Sequence, residues 1–253
     1  MIFETHAHYD DRAFDEDRDQ LLLSLADGGI EAVVNVGASI QTTKNTLDLM
    51  DKYPFVYGAV GVHPNETAEL TEDLMNWLEH ISRRPKVVAI GEIGLDYYWD
   101  KESHEQQKEW FIRQMNLARE KNLPVNIHSR EAAADTFDIM KEYGQGMKAI
   151  IHCYSYSKEM ALEYVKMGYL IGVGGVVTFK NAKKLKEVVQ SVPIEHIVLE
   201  TDCPYLAPDP YRGKRNSSLY LPYVARAIAD LKEMTEEEVI KITTENARRF
   251  YGI

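Results

Sequence analysis

The sequence is poor in cysteine, in basic residues and in long apolar runs, and each shortage excludes a class of protein. Two cysteines among 253 residues are too few for the disulfide framework of a small secreted domain. No run of about 18 apolar residues occurs, and no signal-peptide pattern opens the chain, so we expect a cytoplasmic protein. The 29 Lys and Arg against 40 Asp and Glu give a formal net charge of −11, which argues against long-range attraction of a polyanion.

Three common active-site motifs are also missing, namely a glycine-rich phosphate loop, a serine nucleophile elbow and a Cys-x-x-Cys redox pair. Cys153 and Cys203 each follow a residue with a metal-binding side chain. Because successive side chains of a strand point to opposite faces, we expect both thiols to be reduced, buried neighbours of the site and not metal ligands.

Eight short apolar runs have the composition of β-strands. Most lack polar alternation, which is typical of parallel strands that are covered on both faces. Segments with helical periodicity separate them, and Thr235 and Glu238 have the spacing of a capping box at the start of the last helix. The strand-like runs are residues 3–6, 32–36, 56–60, 87–91, 125–128, 149–152, 169–173 and 197–200.

Eight repeats of strand and helix predict an α/β protein, a single-domain (β/α)8 TIM barrel over residues 1–253. An open, doubly wound sheet has a similar pattern and is the alternative. The barrel is favoured because the candidate functional residues fall where the strands end, which is where chemistry lies in such barrels.

His6 and His8 lie in the opening segment 2–8, and alternate side chains of a strand share a face. A lone His-x-His is a weak signal, and two surface histidines are the alternative. Support comes from further residues with metal-binding side chains, each of which lies at the end of a separate apolar run. These residues are Glu92, His128, His152 and Asp202.

Four imidazoles and two carboxylates exceed the ligands that one catalytic zinc needs, so we predict a paired-metal site. Two adjacent cations lower the pKa of a shared water and hold both oxygens of a phosphoryl displacement. We expect one cation on the first two histidines and Asp202, and a second on the later two histidines. The predicted metal ligands are His6, His8, Glu92, His128, His152 and Asp202.

Both carboxylates of this ligand set are also predicted to be catalytic. Glu92 would bridge the cations, and Asp202 would orient the attacking water and accept its proton. The structural alternatives are a solvated loop carboxylate for Glu92 and a helix N-cap for Asp202.

Predicted substrate-binding residues lie close to the ligands in the sequence. His63 ends the third run and Arg130 follows the fifth, although a loop cap and a surface ion pair are the alternatives. After the eighth run come Arg212, Lys214 and Arg215, a compact basic cluster in an acidic chain. Loops after the last strands of a barrel often bind phosphate, so this cluster is predicted to contact a phosphodiester.

Over essentially its whole length the sequence resembles the TatD family of metal-dependent deoxyribonucleases, which belongs to the amidohydrolase-like barrels. The resemblance implies a (β/α)8 fold of the metallo-dependent hydrolase type, divalent metal at the six ligands above, and hydrolysis of DNA, often from a strand end. Two cations per chain are expected, as magnesium, manganese or zinc. The motifs that carry the resemblance are residues 5–8 (THAH), 61–64 (GVHP), 91–97 (GEIGLDY), 127–130 (IHSR), 152–155 (HCYS), 200–206 (ETDCPYL), 212–216 (RGKRN) and 246–250 (NARRF).

The chain departs from the family pattern at a few positions. Glu4 stands where the family usually has Asp, and Tyr156 replaces a small residue after the His-Cys-aromatic-Ser motif. Ser217 and Ser218 replace the usual Glu-Pro after the basic cluster.

Two rival functions remain open at this point. One is a related barrel hydrolase of a small-molecule amide, lactone or phosphotriester, since one fold serves several substrates. The other is a non-catalytic metal or nucleic-acid binding protein. DNA is the expected partner, RNA is a second possible substrate, and the sequence predicts neither a membrane nor a protein partner.

Overall fold

The computed structural model describes residues 1–99 and 103–253. Strands and helices alternate along the described chain. The strands are β1 (Ile2–Ala7), β2 (Ile30–Val36), β3 (Val56–Val60), β4 (Val87–Asp96), β5 (Val125–Arg130), β6 (Ala149–Ile151), β7 (Leu170–Val173) and β8 (Ile197–Leu199). The helices are α1 (Arg18–Ser24), α2 (Ile40–Lys52), α3 (Glu72–Ile81), α4 (His104–Lys121), α5 (Ala133–Tyr143), α6 (Lys158–Lys166), α7 (Lys183–Ser191), α8 (Leu221–Lys232) and α9 (Glu236–Tyr251).

The eight strands belong to one sheet in the order β1 to β8, which is the order of the chain. Neighbouring strands pair in parallel, as β4 does with β5, and Ala7 at the end of β1 forms a parallel bridge with Cys203 after β8. An open, doubly wound sheet has a reversal of strand order, whereas a (β/α)8 fold is sequential and returns to its first strand. The predicted (β/α)8 fold class is therefore confirmed.

The chain forms two compact units, one of residues 1–35 with 153–253 and one of residues 36–152. The core of the first includes Val33, Ile171 and Val198, all fully buried. The core of the second includes Ile127 and Met115, which are also fully buried. The prediction of a single domain over residues 1–253 stays a prediction.

Seven strands lie within three residues of their predicted bounds, and β4 is the exception because it continues five residues beyond Gly91 to Asp96. Every residue of β4 is buried. Gly94 has a positive φ of 146°, and a Cβ atom there would overlap the carbonyl oxygen of His128 on β5. The glycine thus permits the close approach of β4 to β5. Because β4 continues to Asp96, Glu92 lies inside the strand and not after it.

The end of the chain follows its sequence signals. The Thr235 side chain accepts a hydrogen bond from the backbone N–H of Glu238, and the Glu238 side chain accepts one from the Thr235 N–H, which is the predicted capping box. Within the described residues, no helix is long and apolar enough to cross a membrane.

Candidate functional site

His6, His8 and Asp202 form a group that we call the first donor set. The Nε2 atoms of His6 and His8 are 3.2 Å apart, and the Asp202 Oδ1 atom lies 3.4 Å from His8 Nε2 and 4.0 Å from His6 Nε2. Two nitrogen ligands of a tetrahedral zinc, each about 2.0–2.1 Å from the metal, are about 3.3 Å apart. The spacing and chemistry of the first donor set therefore fit a divalent cation.

The backbone brings the first donor set together. The Asp202 N–H donates to the carbonyl oxygen of His6 (2.9 Å), and the His8 N–H donates to the carbonyl oxygen of Cys203 (2.9 Å). Asp202 has a positive φ of 57°, so the chain turns at this residue after β8 has ended at Leu199. Glu200, two residues before Asp202, makes different contacts as a result. Glu200 Oε1 accepts a hydrogen bond from the Cys153 N–H (2.6 Å).

Glu4 is a fully buried carboxyl group that links the two segments of the first donor set. Its Oε1 atom accepts hydrogen bonds from the N–H groups of His6 (3.1 Å) and Thr201 (3.0 Å), and its Oε2 atom accepts one from the Ser218 hydroxyl (3.0 Å). Burial raises the pKa of Glu4 to about 8, against hydrogen bonds from these groups that lower it. Two departures from the family pattern, Glu4 and Ser218, are thus in direct contact.

Glu4→Asp is expected to lower the metal affinity of the protein by about tenfold, because the shorter side chain gives up part of the network that holds His6. The lost hydrogen bond should also reduce the free energy of unfolding by about 1–2 kcal/mol. Calorimetric titration with manganese and urea unfolding measure the two effects. Ser218→Ala, which removes only the Oε2 contact, should change metal affinity less. Equal affinity in Glu4→Asp and the wild type would show that Glu4 does not position the ligands.

Glu92, His128 and His152 form the second donor set. Glu92 is 4% exposed, and its Oε1 atom lies 2.7 Å from His128 Nδ1 and 3.7 Å from His152 Nε2. A buried carboxylate among imidazole nitrogens is costly unless a cation or proton neutralises it. The second donor set offers the nitrogen and oxygen ligands that zinc and manganese accept, so it also fits a divalent cation.

Asp96 is a member of the candidate site that the sequence did not predict. Its Oδ2 atom lies 3.1 Å from His128 Nε2, so the imidazole is held between this carboxylate and Glu92. Burial lowers the pKa of His128, but the hydrogen bonds to Asp96 and Glu92 outweigh it and the pKa is raised. Burial in turn raises the pKa of Asp96, but the contact with His128 contributes to a net decrease to about 2. A carboxylate on one nitrogen of a metal-binding histidine fixes the ring and directs the other nitrogen to the metal.

His63 lies beside the second donor set, with its Nε2 atom near Glu92. Its Nδ1 atom accepts from the Asn65 N–H (3.1 Å) and caps the short helix Pro64–Glu69. The proton of the neutral ring is therefore on Nε2, which lies 3.9 Å from Glu92 Oε1. The capping role that the sequence offered as the alternative is present, and the substrate-binding role of His63 stays a prediction.

The predicted substrate-binding cations differ in what they contact. The Arg130 guanidinium lies over the ring of Tyr98, with 3.9 Å from its central carbon to the ring centroid. Arg215 forms a two-pronged ion pair with Asp17 at 2.7 and 2.6 Å, so its fork is already occupied by a carboxylate. Arg212 and Lys214 are exposed in the same loop.

Two features lie near Asp202, namely a small cavity and the thiol of Cys203. A cavity in the first unit is lined by Gly174, Gly175 and Leu206 and borders Asp202, and its volume of about 50 Å³ accommodates a few water molecules. Burial raises the pKa of the Cys203 thiol, which keeps it protonated and makes it a poor metal ligand.

The fold and the two donor sets define a (β/α)8 protein with residues suited to bind divalent metal, and comparison with known proteins identifies its family. The model of the family described as TatD related DNase matches residues 3–252. An uncharacterized metal-dependent hydrolase, YabD of Bacillus subtilis (strain 168), is 46% identical over the full length of both chains. The chain therefore belongs to the TatD family of metal-dependent hydrolases.

Two further relatives bear on structure and substrate. The crystal structure of YjjV, a TatD homologue from Escherichia coli K12, superposes with a TM-score of 0.93 at 28% identity, covering 100% of this chain and 98% of that one. A protein of Pectobacterium parmentieri (strain WPP163), named 3′-5′ ssDNA/RNA exonuclease TatD, is 28% identical over 100% of both chains.

Proposed function

We propose that this protein is a metal-dependent nuclease that hydrolyses DNA phosphodiester bonds from a strand end. The observation that carries the proposal is the pair of donor sets: the first has imidazole and carboxylate atoms at spacings suited to a divalent cation, and the second has a buried carboxylate within 4 Å of two imidazoles. Metal-assisted phosphodiester hydrolysis uses ligands of this kind. The relative named as a 3′-5′ exonuclease supports nucleic acid as the substrate class and attack from an end.

The proposed ligands are the six residues of the two donor sets, with two cations per chain as magnesium, manganese or zinc. When bound, such cations polarise the phosphoryl group and supply water of lowered pKa. Asp202 is proposed to orient that water and accept its proton, since this carboxylate lies next to His8 at the open cavity. The water oxygen then bonds to phosphorus, and the bond from phosphorus to the leaving sugar oxygen breaks.

His63 and the exposed cations are proposed to act on the substrate. Because His63 Nδ1 accepts a hydrogen bond, Nε2 carries the proton and can donate it in a hydrogen bond to a phosphoryl oxygen. Arg130, Arg212 and Lys214 would balance the charge of the phosphodiester, which the acidic chain otherwise repels. Arg215 supports this loop through its ion pair with Asp17.

The test of the proposed function is hydrolysis of end-labelled single- and double-stranded DNA and RNA. Protein stripped by a chelator receives magnesium, manganese or zinc, and the product ladder is followed in time. We expect cleavage only after metal is restored, with products shortened stepwise from one end. Tight metal binding without cleavage of any nucleic acid would favour a small-molecule hydrolase of the same fold.

Arg212→Ala with Lys214→Ala is expected to raise the KM for DNA by about tenfold and to leave hydrolysis of a small neutral ester nearly unchanged. The reason is that only a charged phosphodiester gains from these cations. Steady-state kinetics on both substrates measure the difference. Lys184→Ala, on α7 outside the loop, is the matched control for loss of an exposed charge. An equal loss on both substrates would contradict the phosphate contact.

A further inference from the structure

An exposed aromatic pair, Tyr98 and Trp99, follows β4 directly. Tyr98 is 42% exposed and Trp99 is 67% exposed, and their ring centroids are 4.8 Å apart with the planes nearly perpendicular. Tryptophan is highly buried on average in folded proteins, so a ring with two thirds of its surface in water calls for an explanation. The preceding residue, Tyr97, is different because its hydroxyl donates to Asp135 and its ring stacks on His104.

A cation is held against the same two rings. The guanidinium carbon of Arg130 lies 3.9 Å from the Tyr98 ring centroid and 5.5 Å from that of Trp99. Pairing of Asp96 with Arg130 in the β4–β5 register, and a hydrogen bond from the Tyr97 N–H to the Arg130 carbonyl oxygen (2.9 Å), fix this arrangement. The surface therefore combines flat aromatic faces with a planar cation that binds phosphate well.

Asp96 connects this surface to the second donor set. Its Oδ1 atom accepts hydrogen bonds from the N–H groups of Tyr98 (2.9 Å) and Trp99 (3.1 Å), while its Oδ2 atom lies 3.1 Å from His128 Nε2. One carboxylate thus fixes the backbone of the aromatic pair and the ring of a candidate metal ligand. The aromatic surface begins one side chain away from the second donor set.

We propose that Tyr98, Trp99 and Arg130 form a stacking platform for a nucleobase next to the phosphodiester that is cleaved, an inference that rests on the proposed nuclease function. Every base has a π-face, so stacking on aromatic rings binds nucleic acid with little sequence preference. Inside a duplex both faces of a base are covered by its neighbours, and at a blunt end the last base stays paired and stacked on one side, so the platform takes a base from an unpaired end. The protein accordingly prefers single-stranded or frayed ends to blunt duplexes.

The first arm of the test is steady-state kinetics of the metal-loaded protein on short single-stranded DNA. Trp99→Ala is expected to raise KM by about tenfold, since stacking of one base is lost, and to leave kcat unchanged to about twofold. Trp99→Phe keeps a ring and restores most of the affinity. Leu23→Ala is the matched control, because Leu23 is also 67% exposed and lies on α1. It should change neither constant.

The second arm removes the base from the substrate. Oligonucleotides with an abasic site at successive positions from the cleaved end are expected to raise KM about tenfold at one position in the wild type, and to give no further increase there with Trp99→Ala. If the abasic site and Trp99→Ala raised KM independently, so that their effects multiplied at every position, the platform would be overturned. An unchanged KM in Trp99→Ala, with DNA still cleaved, would overturn the platform alone. Failure of the wild type to cleave any oligonucleotide would overturn both the platform and the proposed function.

Discussion

Asp202→Asn is expected to reduce kcat for DNA hydrolysis by about 10³-fold with the fold intact, because an amide neither accepts the proton of the attacking water nor supplies the negative charge of a metal ligand. The side chains are nearly the same size, and the Asp202 backbone keeps its hydrogen bond to His6. The change therefore acts on the chemistry and not on packing.

The measurement is kcat and KM on labelled single-stranded DNA, with circular dichroism and the thermal midpoint as checks of the fold. Asp230→Asn, an exposed residue of α8, is the matched control and should behave as the wild type. Turnover of Asp202→Asn within about threefold of the wild type would remove Asp202 from the proposed mechanism.

Glu92→Gln is expected to lower metal content from two equivalents to about one and to reduce kcat by about 10²-fold. Glu92 Oε1 faces His128, His152 and His63 at 2.7, 3.7 and 3.9 Å, so its charge is the negative partner of the second donor set. Glutamine keeps the volume and one oxygen of the side chain but removes that charge.

Metal content after dialysis against a fixed metal concentration is read by elemental mass spectrometry on the same samples used for kinetics. Glu16→Gln, at an exposed position, controls for the loss of one negative charge. Full metal occupancy in Glu92→Gln would show that the charge of this carboxylate is not needed to retain the cation.

The fold class was predictable because a (β/α)8 chain repeats one local pattern. Apolar runs such as 56–60 and 125–128 are recognised as strands from their own length and composition. The pairing of His6 in β1 with His8 just after it was predictable for a similar reason, since alternate side chains of an extended chain share a face. Their Nε2 atoms are 3.2 Å apart in the structure.

Asp96 was missed because the predicted fourth strand ended at Gly91. With β4 extended to Asp96, the spacing of four between Glu92 and Asp96 places both carboxylates on one strand face. Gly94 serves the close contact of two strands. The local sequence around a glycine does not indicate which strand packs against it, so the extension of β4 along β5 was not predicted.

The contacts of Arg215 and Glu4 depend on residues far away in the chain. Arg215 is 198 positions from Asp17, and Glu4 is 214 positions from Ser218. Spacing within a motif carries no information on such partners, so the basic cluster was predicted as three equivalent cations. Of these three, Arg212 and Lys214 remain our proposed phosphate contacts, because Arg215 is paired with Asp17.

The most direct test of the account is a titration in which metal content and DNA cleavage are measured on the same samples. Chelator-stripped protein is loaded with graded amounts of manganese, and each sample is assayed on end-labelled single-stranded DNA. The account predicts no cleavage without metal, a rate that rises with bound metal, and a plateau near two equivalents per chain. Cleavage that is unaffected by stripping, or two tightly bound cations with no cleavage of any nucleic acid, would contradict it.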